Sequence, residues 1–149
     1  MKNVECSYHR RGAGGNKSEI ETVKVYPVPE SIDPGDTVAV VGLICQRMED
    51  GTPVANVPWV ATYHSPDGFE WGYRGSGPAD LALNVLCALL PQVEMIGIGC
   101  PARVPFAAME FHQRFKEEVI ANMPKAGGWV KLEALDNWLG AHGLTRREG

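Results

Sequence analysis

The stretch Ser65-Pro66-Asp67-Gly68-Phe69-Glu70-Trp71-Gly72-Tyr73-Arg74-Gly75-Ser76-Gly77-Pro78-Ala79-Asp80-Leu81-Ala82-Leu83 decides how the chain is read. It runs as a turn, a strand, a glycine hinge and a helix start. Pro66 presets φ for the second position of a β-turn, Asp67 suits the third, and Gly68 closes it. Bulky residues alternate on both sides, Trp59, Ala61 and Tyr63 before the turn and Phe69, Trp71 and Tyr73 after it. Period two is the strand signal, so the expectation is a β-hairpin over 57–64 and 69–74. Phe69, Trp71 and Tyr73 would then share one sheet face, and such a row is more often core than a binding platform.

Beyond the hairpin, Gly75-Ser76-Gly77-Pro78 allows positive φ or close backbone approach. Pro78 fits the first helical position, with Gly77 or Ser76 as N-cap and Asp80 in the first turn, complementing the helix dipole. From Leu81 to Leu90 the helix is apolar nearly all round, Asn84 excepted, and Pro91 ends it. A helix of that pattern is buried. The glycine turn has two readings. Its backbone N–H groups can hold a phosphate or carboxylate, with Tyr73 beside them and Arg74 as an added cation. Alternatively, the glycines only let the helix pack against the hairpin. Asp80 favours packing, because a fixed carboxylate competes with an incoming anion.

The same run resembles the hallmark of domain of unknown function 6166, a family of small bacterial, archaeal and phage proteins. Its members carry a Ser-Pro-x-Gly-Phe-Glu-Trp-Gly-Tyr-Gly-Gly-Ser-Gly-Pro-Ala stretch, then a helix, a Phe-Lys-containing helix and a short Trp-rich end. Phe115-Lys116-Glu117-Glu118-Val119-Ile120 and the segment from Trp129 to Leu139 look like the later elements. The resemblance covers about 57–90 and 110–139. Arg74 stands where the family pattern has glycine, and 91–108 looks like an extra loop. The resemblance implies no activity; occurrence in phages and mobile elements is its one functional hint.

At 149 residues the chain suits one domain, 1–149, with 44% apolar residues as in an ordinary soluble globule. Its net charge of −4 argues against broad, non-specific nucleic-acid binding, though not against a local basic patch. No apolar run follows Met1-Lys2-Asn3, so no secretory signal is read and a cytoplasmic location is expected. The apolar region from Leu81 to Cys100 is broken by Asn84, Pro91, Gln92 and Glu94, which does not suit a membrane span. Cys6, Cys45, Cys87 and Cys100 form no C-x-x-C pair. Free buried thiols are the expectation, not a zinc site. Cys100 falls in an expected loop at 97–101, with Arg103 near in sequence but no histidine or aspartate to complete a nucleophilic set.

Residues 1–19 read as a basic, glycine-rich hairpin or arm. A short strand at Val4–Tyr8 leads into His9-Arg10-Arg11-Gly12-Ala13-Gly14-Gly15-Asn16-Lys17-Ser18. A phosphate-binding P-loop needs glycine immediately before its Lys-Ser pair and again five positions earlier. Asn16 and Arg11 stand there instead, and a strand follows where a helix is required. Arg10, Arg11 and Lys17 are better read as a hairpin tip able to touch an acidic partner or a nucleic-acid backbone. A half-exposed strand is expected over 20–26 and a turn at Asp33-Pro34-Gly35-Asp36. The run from Thr37 to Cys45 suits a central strand buried on both faces. After the central helix, Pro105 begins a second helix to Asn122, with Ala108, Phe111, Phe115, Val119 and Met123 on one stripe. Glu110–Arg114 and Arg114–Glu118 pair on its wet side, and His112 borders the stripe as a packing residue. Trp129-Val130 reads as a short edge strand, Leu132 to Leu139 as a short amphipathic helix stopped by Gly140 or Gly143, and 144–149 as a loose tail.

The fold expected is therefore α+β: one domain with an antiparallel sheet of four to five strands, and two longer helices and a short C-terminal helix on one face. Histidines at 9, 64, 112 and 142 show no H-E-x-x-H or other metal spacing, and no acid/base pair of carboxylates can be named. His64 borders the turn, placed to approach Glu70 across the hairpin. No catalytic residue, cofactor or metal is assigned. Two function classes remain. One is a non-catalytic binding module, a phage or mobile-element accessory protein presenting the hairpin, the Gly75–Gly77 hinge and the Arg10–Lys17 loop to a host protein or nucleic-acid-associated partner. The other is an enzyme or sequestering protein for a small phosphate-bearing ligand at Ser76–Asp80. DNA reading by the last helix is disfavoured, since Glu133 and Asp136 would face the phosphates. Oligomeric state leaves no mark in the sequence.

Overall fold

A computed structural model describes residues 4–10, 19–33, 35–65, 67–99 and 102–148. The fold is α+β. Strands β1 (Val4–Arg10) and β2 (Glu19–Val25) form an antiparallel pair with Val4 opposite Val25 and Arg10 opposite Glu19. A single turn of helix, α1 (Val38–Val41), precedes β3 (Leu43–Arg47) and β4 (Pro53–Ala55). Helix α2 (Ser76–Leu89) follows, then the hairpin β5 (Met95–Gly99) and β6 (Ala102–Pro105). Helix α3 (Phe106–Glu118) continues into a 3-10 turn at Ile120–Asn122. The chain closes with β7 (Gly128–Val130) and α4 (Leu132–Ala141). Among the described residues the strands are divided among three antiparallel sheets, β1-β2, β4-β3-β7 and β5-β6, not gathered into one of four to five. A bridge between Tyr26 and Trp129 links the end of the first to the edge of the second.

Helix α2 is the centre of the core: every residue from Gly77 to Leu89 is buried, as its nearly unbroken apolar sequence demands. It packs along α3 and touches α1 and the 3-10 turn. The stripe on α3 falls as its spacing requires. Ala108, Phe115, Val119 and Met123 are buried and Phe111 packs against the same core. Trp71, Trp138 and Phe115 are its largest fully buried members. Cys45 and Cys87 are free and buried there, and burial pushes the Cys87 thiol up to about 12, which leaves it unreactive near neutral pH. Among the described residues no helix is long and apolar enough to cross a membrane.

The hairpin expected over 57–64 and 69–74 does not form; both stretches are irregular. Gly68 and Gly72 take φ of +103° and +87°, which breaks any pleated run between them. The N–H groups of residues 60, 61, 63, 64 and 65 bond to side chains of α2 where a ladder would have used its partner strand. The alternation of aromatics is consequently not that of a sheet. Trp71 is fully buried, Phe69 half-buried and Tyr73 exposed.

Three further expectations change. The run 37–45 is not one strand: α1 occupies its first half, and Gly42, at φ +94°, turns the chain into β3. Asn56 holds that turn, donating to the Asp36 and Gly42 carbonyls while its Oδ1 accepts from the Ile44 N–H. Over its described residues, 97–99, the expected loop is the end of β5, where Ile96 and Ile98 alternate with glycine and pack on the core. Cys100 lies outside the described residues. The tail expected to be loose is bonded to the core over 144–147. Leu144 N–H donates to Leu139, Arg147 N–H donates to Leu89, and Arg146 meets Asp136 at 2.9 Å and the Ala39 carbonyl at 3.1 Å.

Candidate functional site

Helix α2 carries two polar side chains within its buried stretch, Asp80 and Asn84, one turn apart and therefore on one face. Both are inaccessible to solvent, and a buried carboxylate or amide is tolerable only when its bonds are made. The Asp80 carboxylate accepts from the backbone N–H groups of Tyr63, at 3.2 Å, His64, at 2.8 Å, and Ser65, at 2.9 Å. Asn84 Oδ1 accepts from Val60 and Ala61, while its Nδ2 donates to the Ala61 carbonyl and, back along the helix, to Asp80. The helix thus supplies the partners that a sheet would have supplied, and segment 60–65 is clamped onto it.

Some of its side chains point the other way. Trp59, Val60 and Tyr63 are 52%, 48% and 48% exposed. Trp59 stacks on Phe69 with ring centres 5.0 Å apart and donates from Nε1 to the Thr62 hydroxyl at 2.8 Å, so this exposed ring is oriented.

The second half of the motif is fastened by other means. Glu70 makes a two-pronged ion pair with Arg47, at 2.8 and 3.1 Å. That bond holds the Glu70 carboxyl below the usual carboxylate range and raises Arg47. The guanidinium lies 4.6 Å from the centre of the Trp71 ring, and both Arg47 Nε and Trp71 Nε1 donate to the Lys125 carbonyl. Gly72 N–H donates to the Ile120 carbonyl at 3.0 Å. Gly77 is pressed against this unit: a Cβ there would lie 2.8 Å from Glu70 Cβ and 3.3 Å from the Gly68 carbonyl oxygen. The Tyr73 ring covers Gly75, and the Trp59 ring lies over Gly68.

Of the residues singled out from sequence, Tyr73, Arg74 and Ser76 are exposed around the start of α2, with Gly75 as its N-cap and Gly77 buried. The helix begins earlier than Pro78, which places Asp80 beyond its first turn. That carboxylate serves the loop, not the dipole. Arg10 ends β1 opposite Glu19, away in sequence from this cluster, whereas Arg11 and Lys17 lie outside the described residues. His64 does not approach Glu70, which is engaged by Arg47. Its Nε2 lies 2.9 Å from Nε2 of His112, which is buried on α3. His112 Nδ1 is 2.7 Å from the Met109 carbonyl, and burial pushes the His112 pKa down. Sequence reasoning missed the partnership of Asp80 with Asn84. Its signal was the i,i+4 spacing of the two polar residues on an otherwise apolar helix. The His64–His112 meeting left no signal, because 48 residues separate the two. Among the described residues no three of His, Cys, Asp or Glu are placed together to hold a metal.

A loop clamped onto a buried helix through Asp80 and Asn84, with oriented aromatics outside, describes a scaffold and a surface, with no reacting group named. Residues 37–97, which include nearly all of this arrangement, match the model of a family of unknown function (DUF6166). This match agrees with the family that the Ser65–Ala79 motif resembles; the later likeness at 110–139 lies outside the matched residues. No curated protein and no solved structure matches the chain.

Proposed function

We propose that the protein is a non-catalytic binding module whose contact surface is formed by Trp59, Val60 and Tyr63 together with Tyr73, Arg74 and Ser76. The carrying observation is the contrast within 59–65: its backbone is held by buried Asp80 and Asn84, while Trp59, Val60 and Tyr63 stay in solvent. Rigid aromatic anchors lose little conformational entropy on association, and tryptophan, tyrosine and arginine are the residues that dominate contact energy at interfaces. The two segments adjoin through packing, since Trp59 covers Gly68, Gly68 abuts Gly77 and Tyr73 covers Gly75. A protein partner suits this surface better than a nucleic acid, because the chain carries a net charge of −4. The phage and mobile-element occurrence that the sequence resemblance implies favours a host protein. Binding to a small phosphate-bearing ligand at Gly75–Gly77 has less support: Glu70 stands beside Gly77 and the Tyr73 ring beside Gly75.

The test is capture from bacterial lysate by the wild-type chain and by the Trp59→Ser/Tyr63→Ser/Tyr73→Ser variant, with melting curves for both. A partner retained by the wild type and lost by a variant of nearly unchanged Tm supports the reading. A partner held equally by both, or none at all, overturns it. A rise in Tm with millimolar nucleotide would restore the phosphate-ligand reading.

A further inference from the structure

The imidazoles of His64 and His112 come from different elements, a clamped loop and the middle of α3, and meet Nε2 to Nε2 at 2.9 Å with ring centres 5.1 Å apart. A single hydrogen fits between two nitrogens at that distance, so one ring donates and the other accepts. Nδ1 of His112 lies 2.7 Å from the Met109 carbonyl oxygen, an acceptor only, and therefore carries a proton. In the neutral pair the lone pair of His112 is then on Nε2. His64 supplies the bridging N–H, which leaves its own lone pair on Nδ1. The Gln113 amide stands 3.4 Å from His64 Nε2, a longer and weaker contact. His112 is buried, whereas His64 is half-buried with its backbone N–H fixed on Asp80 at 2.8 Å. The Tyr63 ring stands nearly perpendicular to both imidazoles, its centre 4.7 Å from that of His64 and 6.4 Å from that of His112.

Two protons cannot be added to this pair on the same terms. The first, on His64 Nδ1, leaves the bridging N–H in place and makes it a charge-assisted bond. The second has only Nε2 of His112 to go to, and two N–H groups of two cations then confront each other where one hydrogen fits. We propose that His64 and His112 form an acid-operated latch between loop 59–65 and α3, closed with no proton or one added and opened by the second. Opening turns the half-buried His64 ring outward and withdraws the support of Tyr63, while the loop backbone stays on Asp80 and Asn84. Among the described residues, the titratable groups that bear on His112 are Tyr63 and His64 of the loop, Asp80 of α2 and Lys116 of α3. Burial has the largest influence and pushes the His112 value down. The Met109 carbonyl and the Asp80 carboxylate pull it up, and charge on His64 or Lys116 pushes it further down. The unfolded chain therefore takes this proton more readily than the folded one. Stability is full above the ordinary histidine value of about 6.5 and declines as pH falls below it. The latch stands without the partner surface proposed above.

The test follows the ring resonances of His64, His112 and Tyr63 by NMR in the free, full-length chain, from about pH 8 down to about pH 4.5, with His64→Gln and His112→Gln alongside. At the alkaline end His112 should be the Nδ1–H tautomer. The pair should then protonate in two separate steps, and the second should coincide with movement of the Tyr63 ring signals. In His64→Gln the facing charge is gone, and the glutamine oxygen can accept from His112 Nε2 once that nitrogen is protonated. His112 should therefore protonate at higher pH there, and the Tyr63 step should disappear. His112→Gln should flatten the acid fall in Tm; His64→Gln, at a half-buried position, keeps the comparison valid if His112→Gln fails to fold. A His112 titration identical in wild type and His64→Gln overturns the proposal, because the two rings would not be coupled. So does a Tyr63 ring that gives no response to the second step, which would leave the pair as a simple hydrogen bond. Every readout is made without a partner, so the result is independent of the capture experiment.

Discussion

Two halves of one stretch behave in opposite ways. Gly68, Glu70, Trp71, Gly72, Gly77, Asp80 and Asn84 face inward, and each has a mechanical role: a positive φ, an ion pair, a core ring, a close approach, a clamp. Trp59, Tyr63, Tyr73 and Arg74 face outward. The first set explains why the motif has the residues it has without reference to any ligand. A long, specific sequence signature can therefore record the demands of a fold, and function is better sought among the residues those demands leave over.

The comparison is tested most severely at Asp80. Replacing it by alanine strips the acceptor from the N–H groups of Tyr63, His64 and Ser65 at once, and charge-assisted bonds to buried donors are worth about 1.5–3 kcal/mol each, not additively. Asp80→Ala should lose about 3–5 kcal/mol in denaturant unfolding, and hydrogen exchange of those three amides should accelerate beyond the global change. A loss under about 1 kcal/mol would mean that the loop holds itself, and the division into clamp and surface would fail. Gly77→Ala comes next. Its Cβ would meet Glu70 Cβ and the Gly68 carbonyl, and overpacking of this kind costs about 1–3 kcal/mol.

Much of this inner set was legible in the sequence, and the limits are instructive. The α+β class, the burial of α2 and the stripe on α3 follow from composition and periodicity, which are local properties. The hairpin was misread because alternating Trp59, Ala61, Tyr63 and Phe69, Trp71, Tyr73 imitates a pleat. Only positive φ at Gly68 and Gly72 and the side-chain acceptors on α2 cancel it, and those acceptors lie 15–24 residues away. The same distance effect hid Arg47 as the partner of Glu70 and His112 as that of His64. In the run 37–45, β-branched residues outvoted Gly42, although that glycine has no room for a side chain against the Val130 carbonyl. The exposed residues were anticipated in part: Tyr73, Arg74 and Ser76 were singled out, whereas Trp59 was assigned to a strand.

Glu70→Gln probes the second fastening with a smaller effect. The Arg47 bond holds the Glu70 pKa below its unfolded value, so its stabilisation is fully present above the unfolded value of about 4.5 and fades as pH falls through the lower folded value. Unfolding free energies should therefore differ between wild type and Glu70→Gln by about 1 kcal/mol at pH 7, and the gap should close in acid. A gap that is constant with pH would show that the carboxylate's charge contributes nothing, and that its shape alone fills the space beside Gly77.

The smallest expected effect discriminates most finely between the two halves. Arg74 occupies a position where the sequence resemblance implies glycine, and with it a backbone that only glycine adopts. The structure removes that requirement, since among the described residues Glu94 is the one non-glycine at positive φ. Arg74 is thus accommodated without strain and exposed, and Arg74→Gly should cost only the added freedom of the unfolded chain, about 0.4–1 kcal/mol. Arg74→Ala, which keeps backbone entropy nearly constant, should stay within about 0.5 kcal/mol of the wild type. If both variants melt normally while capture of the partner weakens, the guanidinium belongs to the outward set. A loss of more than about 2 kcal/mol in Arg74→Ala would instead move Arg74 among the fastenings, and the boundary between scaffold and surface would have to be redrawn before Gly75.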